Sequence, residues 1–357
     1  MTLLRSQSPL DIPVQDLQRC HELLGLEAWQ SLSGKRIFIT GGTGFVGKWL
    51  LATLLDAKER LSLGCQISVL SRDPVVFLRN WPGLATRVDW IQGDVRELSV
   101  EEQRFDVIIH AATDVVAQTS PESVFSTCVE GTRQVLGLAR RSQTRRLLLV
   151  SSGAVYGQFP AGLTYVPETY HGGPDPLLAA SAYGEGKRVS EWLAAQASAD
   201  GLEVKIARVF SLIGPHLPLD KHFAIGNFLR SALAGKEIVI QGDGTAHRSY
   251  LYAADMAAWL WAVLLHGQSC RAYNVGGDVS LSIAELANRV KAVLQGDMQI
   301  TVKSSLRPDT PVLHYAPDIT RARQELFLAA PMELNEAISR TANWYASKKT
   351  HSLNGAI

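Results

Sequence analysis

Short apolar runs alternate with amphipathic stretches between residues 35 and 208. The apolar runs have the length and composition of buried strands, and the amphipathic stretches have the periodicity of helices. The predicted strands are RIFIT (36–40), QISVLS (66–71), VDWIQG (88–93), FDVIIHAA (105–112), RLLLVSS (146–152) and VKIAR (204–208). The main predicted helices are 45–57, 121–141 and 181–199. This alternation predicts an α/β fold in which a doubly wound parallel sheet is covered on both faces.

Beyond residue 209 the pattern is less regular. Predicted helices at 223–234, 256–265 and 282–294 are separated by loops rich in proline and glycine. We therefore divide the chain into three parts: an N-terminal extension (1–33), a dinucleotide-binding domain with the catalytic residues (34–210), and mainly a smaller substrate-binding lobe (211–345).

Composition and charge narrow the possible partners. The chain has 35 basic and 34 acidic residues, so we expect neither a nucleic acid nor a membrane as a partner. The longest apolar helix, MAAWLWAVLL, has ten residues, fewer than the ~18 of a membrane span. The first residues lack a signal-peptide pattern, and a cytoplasmic location is the expectation. The four cysteines lie far apart without paired spacing, which argues against a metal site and a disulfide framework.

A glycine-rich loop, TGGTGFVG, joins the first predicted strand to the first long helix. Gly41, Gly44 and Gly47 are three residues apart, and Phe45 and Val46 begin the helix. Glycines let the backbone turn tightly and approach a pyrophosphate, and the N-terminus of the helix stabilises the negative charge. The order strand, glycine loop, helix predicts a Rossmann-type dinucleotide site.

The ends of the next strands should bind the adenosine half of that dinucleotide. Arg72 can pair with a 2′-phosphate and Ser71 can donate to it, which favours NADP over NAD. Asp94 suits the adenine amino group or, equally, a helix N-cap, and Val95 follows it. The small residues Ala111 and Ala112 follow the fourth strand and leave room for the cofactor.

Tyr183 and Lys187 are four residues apart on a predicted helix and therefore share one face. A lysine cation beside a phenol stabilises the phenolate, which can then exchange a proton with a hydroxyl group. Two glycines, Gly184 and Gly186, lie between them, although each costs a helix ~1 kcal/mol relative to alanine. We expect them to allow a cofactor, a substrate or a neighbouring helix to approach closely.

Together these motifs resemble the extended short-chain dehydrogenase/reductases, specifically their nucleotide-sugar epimerase/dehydratase group. The similarity covers about residues 35–330 and rests on these segments: TGGTGFVG, GDV, HAA, SSGAVYG, YGEGK, RSYLYAAD and PDITRARQEL. The resemblance implies a catalytic set in which Ser152 holds the reacting oxygen, Tyr183 is the acid/base, and Lys187 binds the nicotinamide ribose and tunes the tyrosine. It also implies a homodimer formed through the helices 121–141 and 181–199.

The resemblance leaves the reaction open. Dehydratases of the group carry an acid pair at the two positions after the serine or threonine, and its decarboxylases usually carry glutamate at the second. Here those positions hold Gly153 and Ala154, which cannot transfer a proton. Two interpretations remain: epimerisation at a sugar carbon, most simply C4, or NADPH-dependent reduction of a 4-keto sugar. Either activity would serve surface-polysaccharide or deoxysugar biosynthesis.

The substrate-binding residues are also implied by the resemblance. Arg248 and Arg307 match arginines of the group that pair with the nucleotide diphosphate. A guanidinium group suits this role because it can form two hydrogen bonds to one phosphate. Cys128 and Ser211 stand where the group usually has asparagine, and we interpret Cys128 as a buried thiol.

Two alternatives come from other classes. A dinucleotide-sensing regulatory protein of the same fold typically lacks the tyrosine or the lysine, and this chain has both. A ketone reductase acting on a steroid or flavonoid would give the two arginines no phosphate to bind. His110 is interpreted as structural, His216 and His222 as solvated, and Asp114 receives no role.

Overall fold

A parallel sheet lies at the centre of the computed structural model, which describes residues 8, 10–98, 100, 103–113, 120–221, 223–305 and 312–354. The described strands are β1 Arg36–Thr40, β2 Gln66–Ser71, β3 Asp89–Gln92, β4 Val107–His110, β5 Arg146–Ser152, β6 Glu203–Val209, β7 Leu212–Ile213, β8 Ile238–Ile240, β9 His247–Arg248, β10 Leu251–Tyr252, β11 Arg271–Val275, β12 Leu281–Ser282, β13 Ile300–Val302 and β14 His314–Tyr315.

The helices pack on both faces of this sheet. They are α1 Val14–Leu24, α2 Leu26–Gln30, α3 Phe45–Arg60, α4 Pro74–Asn80, α5 Pro121–Arg141, α6 Ala182–Ala199, α7 Ala224–Leu233, α8 Ala253–His266, α9 Ile283–Val293, α10 Thr320–Glu325 and α11 Leu334–Asn354. Short 3₁₀ helices include Val95–Glu97 and Gly153–Tyr156.

Within the described residues, seven parallel strands form the main sheet in the order β11-β6-β5-β4-β1-β2-β3. Chain order reverses between β1 and β4, where Thr40 pairs with His110. Ligands of such sheets bind beyond the carboxyl ends of the strands at this reversal. The glycine loop follows β1 and Ala111 follows β4, so both lie at the predicted position.

Alternate side chains of the strands enter two separate apolar clusters. Ile37 and Ile39 face the larger cluster, which includes α3 and α8, whereas Phe38 faces the smaller one with α5. The predicted doubly wound parallel sheet is therefore confirmed.

The central sheet differs from the prediction in one respect. Its seventh strand, β11, comes from the part of the chain that we assigned mainly to the substrate lobe, and it pairs with β6. The helix α8 is buried from Ala253 to Leu264 and joins the larger apolar cluster. The later half of the chain thus completes the central sheet.

The N-terminal extension is tied to the rest of the protein by buried charges. Asp16 accepts hydrogen bonds from the hydroxyl of Tyr252 (2.6 Å) and from Arg340 of α11 (2.7 Å). Arg19 donates to Asp255 of α8 at 2.5 Å. These pairs anchor α1 against both α8 and α11. None of the described helices combines the length and the apolar character needed to cross a membrane.

Candidate active site

The backbone of the glycine loop packs so closely on neighbouring backbone that two of its positions have no room for a side chain. Gly41 has a φ of +73°, and a Cβ there would lie 2.6 Å from the carbonyl carbon of Ala111. A Cβ on Gly47, in the first turn of α3, would lie 2.1 Å from the carbonyl oxygen of Gly41. Larger residues are excluded at both positions. The backbone at the start of α3, with Phe45 and Val46, is therefore free to approach a pyrophosphate, and the loop fits a dinucleotide.

A cleft beyond the carboxyl ends of β1, β2, β3 and β4 continues from this loop. Its lining combines eight predicted cofactor residues with several that were not predicted: Gly41, Gly44, Ser71, Arg72, Asp94, Val95, Ala111 and Ala112, and in addition Thr43, Leu70, Gly93, Thr113 and Thr127. The shape and the small lining residues of this cleft fit the adenosine diphosphate half of a dinucleotide.

Two acidic residues near the cleft have local structural roles. Asp94 caps the helix Val95–Glu97 by accepting from the backbone N–H of Arg96 at 2.8 Å. The guanidinium of Arg96 also donates to both carboxylate oxygens, and these bonds hold the pKa of Asp94 below its usual value. Asp73 caps α4 through the N–H of Val76 at 2.9 Å. Of the two roles foreseen for Asp94, the N-cap is present.

Ser152, Tyr183 and Lys187 lie together at the end of β5 and the start of α6. Ser152 is buried and accepts from the N–H of Ala154 at 3.1 Å, and its hydroxyl is near enough to Tyr183 to lower the pKa of that phenol. Lys187 is 2% exposed, donates to the carbonyl of Val150 at 2.8 Å, and holds its Nζ 6.0 Å from the centre of the Tyr183 ring.

Burial dominates the electrostatics of this group. It raises the pKa of Tyr183, which the hydrogen bond with Ser152 then lowers in part. It lowers the pKa of Lys187 as well. The hydrogen bond from Ser152 is the interaction that lowers the pKa of the phenol. The Lys187 ammonium group, 6.0 Å from the ring centre, donates to the carbonyl of Val150. Tuning of the phenol by Lys187 stays a prediction.

The two glycines of α6 are explained by packing. A Cβ on Gly184 would lie 2.6 Å from the carbonyl oxygen of Ala154, in the 3₁₀ helix that follows Ser152. A Cβ on Gly186 would lie 2.8 Å from the Cβ of Cys128 on α5. Of the three close approaches that we considered, the structure shows the one by a neighbouring protein segment. These contacts bring the catalytic helix against both α5 and the end of β5.

Position 153 is closed to any side chain. A Cβ on Gly153 would lie 2.6 Å from ring atoms of Phe210, which is 5% exposed. Phe210 in turn packs against Tyr315, with ring centres 4.8 Å apart. An aromatic pair thus stands beside the site where the group's dehydratases carry the first acid.

Tyr315 and Arg248 enter the same region from two short neighbouring strands. Tyr315 pairs with Arg248 in the register of β14 and β9. The Cζ of Arg248 lies 5.4 Å from the centre of the Tyr315 ring, and the Tyr315 hydroxyl lies 3.4 Å from Ser152 Oγ. Because side chains alternate along strands, His247 and His314 stack on the opposite face. The sequence analysis missed Tyr315.

A second missed group connects α6 to the sheet below the site. Glu191, one turn after Lys187, accepts from the Ser151 hydroxyl at 2.5 Å and from Arg208 at 2.6 Å. Arg208 also donates to the hydroxyl of Tyr156 at 2.8 Å. The sequence signal for this group was weak: Ser151, Glu191 and Arg208 are polar residues within predicted buried segments.

The remaining candidates are placed as follows. His110 is buried between the hydroxyls of Thr40 (2.8 Å) and Thr132 (3.2 Å), and burial lowers its pKa to about 3. Cys128 is a buried thiol. His216 was expected in solvent but is largely buried, because its Nε2 contacts the carbonyl of Leu10 at 2.6 Å. Arg307, Asp114 and His222 lie outside the described residues.

A glycine cradle at the switch point of a parallel sheet, next to a serine, a tyrosine and a lysine, defines a dinucleotide-dependent enzyme of the short-chain dehydrogenase/reductase type. The sequence model of the NAD dependent epimerase/dehydratase family matches residues 37–276. The chain belongs to this family.

Its curated relatives include UDP-glucuronic acid decarboxylase 5 of Arabidopsis thaliana, which is 33% identical over 86% of this chain and 88% of the relative. UDP-glucuronic acid decarboxylase 1 of Xenopus tropicalis is 28% identical over 97% of this chain and 81% of the relative.

Solved structures of similar fold carry other activities in their names. The UDP-glucose 4-epimerase of Thermotoga maritima, with UDP-glucose, superposes with a TM-score of 0.74 at 21% identity, over 88% of this chain and 99% of that chain. A dTDP-glucose 4,6-dehydratase of Streptomyces venezuelae, with NAD bound, has a TM-score of 0.74 at 25% identity, over 88% of this chain and 98% of that chain.

Proposed function

We propose that this protein is an NAD(P)-dependent nucleotide-sugar epimerase that inverts a sugar carbon, C4, through a transient ketone. Bound nicotinamide supplies the reversible hydride acceptor. Tyr183 takes the proton of the sugar hydroxyl and later returns it, and Ser152 donates a hydrogen bond to the same oxygen. Lys187, buried beside them, binds the nicotinamide ribose. Arg248 and Arg307 bind the nucleotide diphosphate.

One observation carries the choice among the family's reactions. Phe210 fills the space at Gly153, and Ala154 follows it, so neither position provides an acid or a base beside Ser152. Elimination of water needs a proton donor and an acceptor at that place. The curated relatives are named as decarboxylases, whose usual glutamate is replaced here by Ala154. Oxidation and reduction at one carbon need only the groups that are present.

Reduction of a 4-keto nucleotide sugar is the second candidate, and Arg72 favours it. This arginine lines the cleft at the end of β2, where a 2′-phosphate would be bound. A preference for NADP, which supports a consumed reductant, is part of this proposal.

The same proposal includes a homodimer formed through α5 and α6. Phe125 on α5 is 39% exposed and Trp192 on α6 is 61% exposed. Large apolar side chains at a surface are typical of protein interfaces. Light scattering of the wild type and of Trp192→Glu tests this, because the variant should be a monomer.

The test of function begins with mass spectrometry of the cofactor that copurifies with the protein. The holoenzyme is then incubated with UDP- and dTDP-linked sugars, including UDP-glucuronic acid and 4-keto sugars. An isomer formed without added cofactor supports the epimerase. NADPH consumption supports the reductase, and a pentose product shows a decarboxylase. Tyr183→Phe should bind the dinucleotide normally and lose turnover; full activity of this variant would overturn every version of the proposal.

A further inference from the structure

The Ser152 hydroxyl has three polar neighbours, and the number of hydrogen bonds that it can donate and accept is limited. Its hydroxyl has one proton and two lone pairs. The N–H of Ala154 occupies one lone pair at 3.1 Å. The hydroxyl of Tyr315 lies 3.4 Å from Ser152 Oγ, and Ser152 is also the hydrogen-bonding neighbour that lowers the pKa of the second phenol, Tyr183. One of them must therefore accept the serine proton, and the other must donate to the second lone pair.

The surroundings decide which phenol donates. Tyr183 is the proposed base, which accepts a proton during oxidation, so the Ser152 proton belongs on its side. Tyr315 is enclosed by Phe210, at 4.8 Å between ring centres, and by Arg248, at 5.4 Å from Cζ to ring centre. Burial keeps Tyr315 protonated, as it does Tyr183, but only Tyr315 has the Arg248 cation among the neighbours that lower its pKa in part, and this polarisation makes its O–H the stronger donor.

We propose that Tyr315 is a positioning residue whose hydroxyl donates to Ser152 and thereby turns the Ser152 proton toward the reacting oxygen. With both lone pairs occupied, the serine can only donate outward. The 3.4 Å separation of the two oxygens is longer than the ~2.8 Å typical of hydroxyl pairs. Hydrogen bonds of this kind commonly tighten when substrate binds. This inference rests on the proposed function.

The backbone holds Tyr315 in this position from two sides. Its strand pairs with β9, and the next residue, Ala316, accepts from the N–H of Val166 at 3.0 Å. The N–H of Asp318 donates to the carbonyl of Val166 at 2.9 Å. The ring is thus placed by the fold, and removing only its hydroxyl should leave the packing unchanged.

A double-mutant cycle tests the mechanism with Tyr315→Phe, Ser152→Ala and the double variant. Tyr315→Phe should lower kcat about ten-fold with KM changed less than about two-fold, because the lost bond acts on the reacting oxygen. In the Ser152→Ala background the same change should have no further effect, because Tyr315 acts only through Ser152. Tyr170 packs against the same apolar cluster around Phe210 as Tyr315 does, and the control variant Tyr170→Phe should leave turnover unchanged.

A second measurement needs no substrate. Phenolate absorbance of the cofactor-bound holoenzyme, minus that of Tyr183→Phe, reports the titration of Tyr183. Tyr315→Phe should raise the pKa of Tyr183 by ~0.5 to 1 unit, since Ser152 can then turn its proton away, and it should do so only when Ser152 is present. Additive losses in kcat, or an unshifted titration, would overturn the inference. Absence of turnover in the wild type with a shifted titration would reject the proposed reaction alone.

Discussion

Gly186 of the catalytic helix lies directly against Cys128 of α5, so close that a Cβ on the glycine would stand 2.8 Å from the Cβ of the cysteine. Gly184, half a turn earlier, lies equally close to the carbonyl of Ala154. The helix that carries Tyr183 and Lys187 gives up helical propensity at two positions and gains close contact on both sides. The contact at Gly184 packs the start of α6 against the segment that follows Ser152.

Alanine at either position should therefore be harmful despite its higher helical propensity. Gly186→Ala should lower the free energy of unfolding by about 1 to 3 kcal/mol through overpacking. Gly184→Ala displaces the backbone after Ser152 and should lower kcat as well. Urea unfolding and steady-state kinetics measure the two effects.

Gly137 provides the matched control for these substitutions. It lies in α5, and a Cβ there would lie 3.3 Å from the terminal nitrogen of Arg141, a flexible group. Gly137→Ala should stabilise the protein by up to ~1 kcal/mol. If Gly184→Ala and Gly186→Ala stabilised the protein as Gly137→Ala should, the close packing at the first two positions would not contribute to the free energy of unfolding.

Because the ion pair between Glu191 and Arg208 is buried, removal of one partner should destabilise the protein strongly. Their side chains are 12% and 16% exposed. Arg208→Met leaves a buried carboxylate without its cation and should lower the free energy of unfolding by about 3 to 5 kcal/mol. Adding Glu191→Gln to that variant should recover part of the loss, which urea unfolding can measure.

An exposed ion pair between the C-terminal ends of α5 and α6 serves for comparison. Arg140 and Asp200 lie 3.2 Å apart, with 77% and 66% of their side chains exposed. Arg140→Met should change the free energy of unfolding by less than ~1 kcal/mol. Equal effects at both pairs would contradict the role of burial.

Arg72 should decide the choice of cofactor. Arg72→Ala should weaken binding of NADP about ten-fold or more by removing a guanidinium–phosphate pair, with a much smaller effect on NAD. Arg79→Ala, an exposed arginine on α4, is the control. Calorimetric titration with each dinucleotide gives the ratio. A parallel loss for both cofactors would mean that Arg72 does not contact a 2′-phosphate.

His110 should make stability depend on pH in the acid range. Burial lowers its pKa from the ordinary 6.5 to about 3. Between these values the unfolded chain binds a proton that the folded protein does not, so stability falls as pH falls from 6.5 towards 3. Above 6.5 the contribution is complete.

The variant His110→Gln removes this linkage while keeping polar contacts to the threonine hydroxyls. The difference in unfolding free energy between wild type and variant should shrink with falling pH, at a slope near one proton. Chemical unfolding across the pH series measures it. A difference independent of pH would show that His110 has the same pKa in the folded and the unfolded protein.

Most of the fold was predictable because local signals agree with it. The helix α5 spans the predicted residues 121–141, with the Ser120 side chain accepting from Ser123 at its start and a proline in its first turn. The strands β1, β2 and β5 also match the prediction. In each case the signals that define the element, the spacing of apolar residues and any capping residue, lie within a few neighbouring positions.

Tyr315 shows why the rest was not predictable. Its strand has two residues, too few for any period, and it exists because it pairs with β9 far away in sequence. Likewise, β11 belongs to the main sheet only because β6 is available to it. The contact of Gly186 with Cys128 required the three-dimensional packing of α5 and α6. Local patterns predicted that Tyr183 and Lys187 share one helix face, but not what surrounds them.

The bond between Asp16 and Arg340 joins positions 324 residues apart. The aspartate is synthesised 324 residues before the arginine, so its carboxylate cannot form this ion pair until the intervening chain has been made. The charge pairs of α1 are therefore complete only once α11 has been synthesised.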